Sequence, residues 1–99
     1  MTSRKIQHTL DNWRGAGAEL WSYSTSHSRL VLRLRNPKKE VLYIIMEDVY
    51  AIFGIVSWPN SDLVAMYNDA RREWLVRDIR SGFVAPCGLV RLSDVDPSR

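Results

Sequence analysis

Residues 40–58 read EVLYIIMEDVYAIFGIVSW, and this stretch decides the fold. It contains two apolar runs, residues 41–46 and 49–56, on either side of the acidic pair at 47 and 48. Both runs are rich in β-branched and aromatic residues, which suit a pleated sheet better than a helix. Each run is apolar on both alternating faces, as is typical of a strand in the middle of a core. We therefore predict a central hairpin that turns at the acidic pair.

In the two segments before this hairpin, the side chains assigned to one face alternate with those assigned to the other, as in half-buried strands. Residues 19–27 read ELWSYSTSH, which places Trp21 and Tyr23 on one face. Residues 29–35 read RLVLRLR, so the three leucines face the core and the other side chains, including Val31, face outward. The outward-facing charges form an arginine stripe: Arg29, Arg33 and Arg35.

The stretch from residue 61 to residue 82 supports two interpretations. As strands, residues 62–67 and 73–80 are joined by a turn at 68 and 69, and a second turn at 81 and 82 leads onward. As a helix, residues 61–74 place five apolar residues on one face. The final run, residues 83–92, is interrupted by the sequence Pro-Cys-Gly, so it is either one bulged edge strand or two short strands.

The ends of the chain are simpler. Apolar residues at helical spacing within residues 3–14 predict a short helix, which packs on the sheet or serves as a partner-binding arm. Residues 1–17 thus form an N-terminal helix or arm, and the polar residues 93–99 are expected to fray. We predict a single small domain over residues 1–99. Its fold is mainly β, an antiparallel sandwich or small barrel of about six or seven strands with a short N-terminal helix. The alternative is an α+β fold with a helix over residues 61–74.

Composition restricts the class of protein. The chain has 99 residues, 25% of them charged, and a net charge of +3, which are the values of a globular domain. Its single cysteine, Cys87, allows no internal disulfide, and the first residues contain no apolar segment of the kind a secretory signal needs. We expect a cytoplasmic protein without a membrane partner, since no stretch of about 20 apolar residues is free of charge.

Catalytic and metal-binding patterns are absent from the sequence. Zinc sites need closely spaced Cys and His ligands, whereas Cys87, His8 and His27 are widely separated. There is no glycine-rich phosphate loop. We therefore expect no metal, no cofactor and no enzymatic activity, with a small enzyme around Cys87 as an alternative that the sequence leaves open.

Two surface features suggest binding. The arginine stripe, with Trp21 or Tyr23 on the neighbouring strand, resembles the phosphate-contacting and stacking surfaces of single-strand nucleic-acid binders. The alternative is an ordinary solvated strand face, on which Glu40 and Glu47 pair with the arginines.

The second feature is Trp58, beside Pro59 and polar residues in a predicted loop, where it is either exposed or folded back as a lid over the open end of the sheet. Tryptophan, tyrosine and arginine are enriched at interface hot spots. We therefore predict a non-catalytic binding module or accessory subunit that acts through protein–protein contacts or self-association. The predicted partner-binding residues are Trp58, Arg29, Arg33, Arg35, Trp21 and Tyr23. The alternative function is single-strand nucleic-acid binding through the arginine stripe.

Overall fold

The computed structural model describes residues 3–97, which form one helix and eight strands in two antiparallel sheets. The elements are α1 (Ser3–Asn12), β1 (Gly17–Ser24), β2 (Arg29–Arg35), β3 (Val41–Glu47), β4 (Ser57–Trp58), β5 (Leu63–Asn68), β6 (Glu73–Asp78), β7 (Val84–Cys87) and β8 (Leu89–Ser93). The five-stranded sheet has the order β4-β1-β2-β3-β8, and the three-stranded sheet has the order β5-β6-β7. The predicted mainly β fold with a short N-terminal helix is confirmed, with eight strands in place of six or seven.

One core lies between the two sheets. The leucines of β2 face it as the alternation predicted, and Leu30, Leu32 and Leu34 are each almost fully buried. The three-stranded sheet contributes Val76 and Ala85 to the same cluster. Burial of this apolar surface is the main stabilising contribution to the fold.

The helix α1 packs on this core. Ile6 and Leu10, four residues apart and therefore on one helix face, are both buried in the cluster. The helix over residues 3–12 therefore packs on the core and is not a free arm. Residues 1 and 2 of the predicted N-terminal segment lie outside the described residues.

The prediction of a strand for the second half of the central hairpin is wrong. Residues 41–46 lie in β3 as expected, but residues 49–56 form an irregular connection whose one ladder contact is a bridge from Phe53 to Val84. Asp48 has a φ of 57° and Gly54 a φ of 124°, so the backbone leaves the extended conformation just before this connection and again within it. An added Cβ at Gly54 would lie 2.8 Å from the Cα of Phe83, so the backbone passes too closely there for a side chain.

The position expected for that hairpin partner is taken by another strand. β3 pairs with β2 on one side and with β8 on the other, so neither of its edges is free. β8 reaches it because the chain changes sheets at Gly88, whose N–H donates to the carbonyl oxygen of Glu47 at 2.8 Å. A Cβ at Gly88 would lie 2.9 Å from a carboxylate oxygen of Asp48, so a larger residue at this crossing would displace the Asp48 side chain.

The strand interpretation of the second half of the chain is correct, and the helix over residues 61–74 is not formed. β5 and β6 pair in register from Leu63↔Asp78 to Asn68↔Glu73. The run from 83 to 92 is two short strands, β7 and β8, which belong to different sheets. The Pro-Cys-Gly interruption therefore marks the change of sheet.

A bulge in β1 changes the predicted faces of its aromatic residues. The register with β2 shifts between Leu20 and Ser22, so Trp21 occupies the extra position. Tyr23 is paired with Leu30, whose side chain faces the core side of the sheet, whereas Trp21 contacts Tyr43 on the outer side. The prediction that Trp21 and Tyr23 share one face is therefore wrong, because the bulge breaks the two-residue period.

Candidate functional site

The predicted arginine stripe lies on the outer face of the five-stranded sheet, and its central member is fully engaged. Arg33 is opposite Glu19 in the register of β1 and β2, and its Nε donates to Oε1 of Glu19 at 2.6 Å. Its guanidinium also lies 3.8 Å from the centre of the Trp21 ring, a cation–π contact. The charge and the planar face of Arg33 are therefore both used within the protein.

The flanking arginines differ from each other. Arg29 pairs with Glu47 through an N–O distance of 2.9 Å, and Arg91 on β8 approaches the same carboxylate at 3.7 Å. Arg35 is exposed and makes no ion pair with any residue in the range 3–97. Glu47 thus has the predicted role of cross-strand partner, whereas Glu40 accepts a hydrogen bond from the Asn36 side chain instead.

A second apolar layer lies beneath these charges. Val31, Tyr43 and Ile45 form a separate buried cluster on the outer side of the sheet, and Ile45 is 0% exposed. The C-terminal segment reaches this side, because the Trp21 Nε1 donates to a carboxylate oxygen of Asp96 at 3.1 Å. Within the segment that we predicted to fray, Ser93 is therefore the last residue of β8 and Asp96 contacts Trp21, and residues 98 and 99 lie outside the described residues. The apolar cluster of Val31, Tyr43 and Ile45 on the outer side of the five-stranded sheet is thus buried within the protein.

Trp58 is not exposed, which corrects the prediction for the first-named partner-binding residue. It lies on β4 opposite Ala18 and is only 5% exposed. Its ring stacks on Phe83 with a centroid distance of 5.2 Å. The short pairing of β4 with β1 turns this side chain into the core, which Pro59 and its polar neighbours gave no reason to expect.

The outer face of the three-stranded sheet is apolar and open to solvent. Side chains directly opposite each other on antiparallel strands share a face, so the register of β5, β6 and β7 places two rows of apolar residues together. The first row holds Met66, Leu75 and Pro86, and the second holds Val64, Arg77, Val84 and Phe53, which is bridged to Val84. We call the six apolar residues of these two rows the outer apolar face. Phe53 is 61% exposed and Met66 is 49% exposed.

Two opposite charges lie on β6 within this face. Glu73, Leu75 and Arg77 alternate along the strand, so all three point outward and the leucine separates the charges. Glu73 accepts a hydrogen bond from the Tyr50 hydroxyl at 2.9 Å, and this bond raises the pKa of Tyr50. Arg77 is exposed, and no carboxylate within residues 3–97 pairs with it.

The residues considered for catalysis are not assembled into a site. Cys87 lies on the inner side of β7 and is 1% exposed, and burial raises the pKa of its thiol to about 12. A cysteine nucleophile needs a lowered pKa, so this thiol is in the wrong state for attack near neutral pH. Within residues 3–97, no three His, Cys, Asp or Glu side chains lie together as a metal site would need. The described part of the chain also has no helix of the length and apolarity required to cross a membrane.

Sequence reasoning missed the outer apolar face because it read two-sided apolarity as burial. Residues 49–56 and the strands β5 to β7 are apolar at positions of both parities, and we assigned all of these positions to the core or left them unused. The signal was present, since a domain of this size has few places to bury both faces of a small sheet. Comparison of the chain with protein-family models, curated proteins and solved structures found no match.

Proposed function

We propose that this protein is a non-catalytic binding module that acts through protein–protein contacts, and that the outer apolar face is its contact surface. The observation that carries the proposal is the exposure of Phe53 and Met66 within a set of six apolar side chains on one face of the sheet, which surround Arg77 on β6. Monomeric proteins rarely leave large contiguous apolar patches in water, and such patches mark interaction sites. The other sheet supports the choice by contrast, because the apolar cluster on its outer side is buried.

The occupant that best fits this face is a second copy of the chain. Two sheets that pack face to face lie about 10 Å apart. A two-fold axis that runs parallel to the sheet and crosses its strands at Leu75 reverses the strand direction of the second copy. Arg77 of each copy then lies opposite Glu73 of the other, and Leu75 lies opposite Leu75. The charge pattern of β6 is therefore self-complementary, as an isologous interface requires.

This pairing gives Arg77 a carboxylate partner, Glu73 of the second copy. A cation that is buried at an interface without a carboxylate is costly, whereas a paired cation contributes to specificity. Glu73 has the capacity for the additional contact, because the Tyr50 hydroxyl and Arg71 leave some of the lone pairs of its carboxylate unused. A partner with a purely apolar surface would leave Arg77 unsatisfied.

The first test measures molar mass against concentration by sedimentation equilibrium. We expect the mass to rise toward twice that of one chain, and Met66→Asp to abolish the rise because it places a charge at the centre of the apolar contact. The matched control is Leu89→Asp, since Leu89 is similarly exposed but points outward from β8 on the other sheet. A monomeric mass at all concentrations, or equal loss in both variants, would contradict the proposal.

A charge exchange tests the arrangement of the two copies. Arg77→Glu alone gives two acidic positions on β6, and Glu73→Arg alone gives two basic positions, so each variant should be monomeric by itself. Mixed in equal amounts, the two variants should form a heterodimer, because every contact then joins opposite charges. Tyr50→Phe controls for the intramolecular hydrogen bond that Glu73→Arg removes. Failure of the mixture to associate, with both folds intact by circular dichroism, would exclude this geometry.

The alternative function, single-strand nucleic-acid binding, has less support. Two of the three arginines in the stripe already pair with carboxylates, Arg33 with Glu19 and Arg29 with Glu47. Arg35 alone is available for a phosphate. We retain a cytoplasmic location as part of the proposal, since a chain with a single cysteine suits a reducing compartment.

A further inference from the structure

The outward edge of β5 is partly closed by a side chain of α1. β5 is the first strand of its sheet and pairs with β6 on one side only. On the other side, the side-chain amide of Gln7 accepts a hydrogen bond from the Ala65 N–H at 2.9 Å and donates one to the Leu63 carbonyl oxygen at 3.3 Å. The Gln7 amide therefore makes the two hydrogen bonds that a residue of a fourth strand would make.

The rest of this edge is open. Residues of an antiparallel strand alternate between pointing both backbone groups at the partner strand and pointing both away from it. Because Leu63 and Ala65 bond away from β6, Tyr67 must have the same orientation. The Ala65 carbonyl, the Tyr67 N–H and the Tyr67 carbonyl therefore face outward, and none of them bonds to any residue in the described part of the chain. We call these three groups the open edge.

A groove of about 620 Å³ runs between α1 and the open edge. Ser3, Arg4 and His8 of the helix line one wall, and residues 65–67 line the other. Arg4 makes no ion pair with the described residues. The one carboxylate of the lining, Asp11, is already in contact with Arg14 at 3.0 Å and with Gln7 at 2.8 Å. The groove is thus cationic on its helix side.

We propose that this groove binds an extended, acidic peptide segment of another protein, which adds to the three-stranded sheet as a fourth strand. Strand addition to an exposed edge takes its affinity from main-chain hydrogen bonds and its specificity from alternate side chains. One set of those side chains would lie beside Met66 on the outer face, and the other set would face Arg4 and His8. The segment therefore alternates apolar and acidic residues.

A second copy of this chain is a poorer occupant for the same edge. Pairing β5 with β5 of another copy would bring two helices α1 together, and each carries the Arg4 guanidinium beside the open edge. Like charges that face each other at an interface oppose association. The open edge and the outer apolar face are also different surfaces, since one presents backbone groups and the other side chains.

The test uses two labelled six-residue peptides, one alternating valine with glutamate and one alternating valine with lysine. Fluorescence anisotropy is measured in the Arg77→Glu background, so that association through the outer apolar face does not contribute. We expect the glutamate peptide to bind and the lysine peptide to bind at least about tenfold more weakly, in line with loss of one charged contact. Equal binding of the two peptides, or no binding of either, would overturn the proposal.

A proline substitution tests whether the backbone is the binding element. Tyr67→Pro removes one outward N–H but no bond to β6, and proline is found on edge strands for that reason. We expect about tenfold weaker binding than in Tyr67→Ala, which keeps the N–H and controls for loss of the ring. Amide shifts in a ¹⁵N spectrum should confirm that the β5–β6 pairing is intact in both variants. Equal affinity of the two variants would overturn the proposal.

Gln7→Ala extends the test in the opposite direction. Removal of the Gln7 amide frees the Leu63 carbonyl and the Ala65 N–H, so the open edge grows by two groups. An eight-residue alternating valine–glutamate peptide should then bind several-fold more tightly than it binds the parent protein. An increase in self-association without tighter peptide binding would identify a second copy as the occupant and overturn the proposal.

Discussion

The outer faces of the two sheets show how similar strand patterns give different surfaces. On the five-stranded sheet, Ile45 is covered, and the arginines above it are held by Glu19 and Glu47. On the three-stranded sheet, Met66 and Phe53 stay in solvent, and the charges of β6 flank the apolar residues without covering them. The first face is a second small core with charged side chains over it. The second face has no cover within the described residues, so we place the interface there.

The difference depends on long-range contacts. Glu19 and Trp21 reach Arg33 from β1, and Asp96 reaches Trp21 from the C-terminal segment. On the three-stranded sheet the Tyr50 hydroxyl reaches Glu73, but Phe53 and Met66 stay exposed, because the segment that borders this sheet, residues 49–56, supplies further apolar residues. Exposed arginines in a sequence are therefore weaker indicators of a binding surface than apolar residues that the fold leaves uncovered.

The comparison predicts that truncating a side chain lowers the free energy of unfolding much more on the outer face of the five-stranded sheet than on that of the three-stranded sheet. Ile45→Ala should lower the free energy of unfolding by about 2–5 kcal/mol, the usual loss for a fully buried isoleucine, although Ile45 is on the outer side of its sheet. Met66→Ala should change it by less than about 1 kcal/mol, because half of the side chain is already in water. Urea denaturation at concentrations where the chain is monomeric measures both. Equal losses in the two variants would show that the two faces are not different.

The next largest expected effect is a pH dependence of stability caused by Cys87, on the inner side of the three-stranded sheet. Burial raises the pKa of Cys87 from 9.0 to about 12, so the folded state keeps its proton at pH values where the unfolded chain loses it. The unfolded state then binds fewer protons, and stability falls as pH rises from 9 toward 12, by up to about 1.4 kcal/mol per pH unit. Below pH 9 the thiol is protonated in both states and contributes no such dependence.

The Cys87→Ala variant isolates this contribution. Denaturation of the two proteins between pH 8 and pH 12 should give curves that converge as the pH rises, because the variant lacks the titrating thiol. Iodoacetamide should also alkylate the folded protein far more slowly than a free thiol at pH 8. Rapid alkylation without unfolding would indicate an accessible thiolate and reopen the enzyme alternative.

The smallest expected effect concerns the arginine stripe. Each phosphate that a protein neutralises on a single strand contributes about −0.7 to the slope of log affinity against log salt. Because Arg29 and Arg33 are paired internally, any binding of a labelled oligothymidine should show a slope no steeper than about −0.7, in place of about −2 for three free arginines. Arg29, Arg33 and Arg35 changed together to glutamine provide the comparison. Micromolar binding that the triple variant loses, with a slope near −2, would favour the nucleic-acid alternative.

Local pattern accounted for most of the secondary structure. The leucine–arginine alternation of residues 29–35 predicted β2 and its inner face, and the spacing of Ile6 and Leu10 predicted a short helix. The candidate site was predicted less well, because Trp58 was named as a partner-binding residue and is buried, and Phe53 was placed in the core and is exposed. Those errors share one cause: the burial of an apolar residue at a given position depends on which distant strand lies beside it.

The sequence by itself determined that this protein is a small, mainly β domain with a short N-terminal helix, because periodicity and turn residues act within a few positions of the chain. Only the tertiary structure decided which strand pairs with β3, and therefore which apolar runs are buried. β8 occupies that edge through the close approach at Gly88, and residues 49–56 are left to border the outer apolar face. Segments that are distant in sequence compete to pair with the edge of a strand, and the local sequence pattern does not predict which of them pairs.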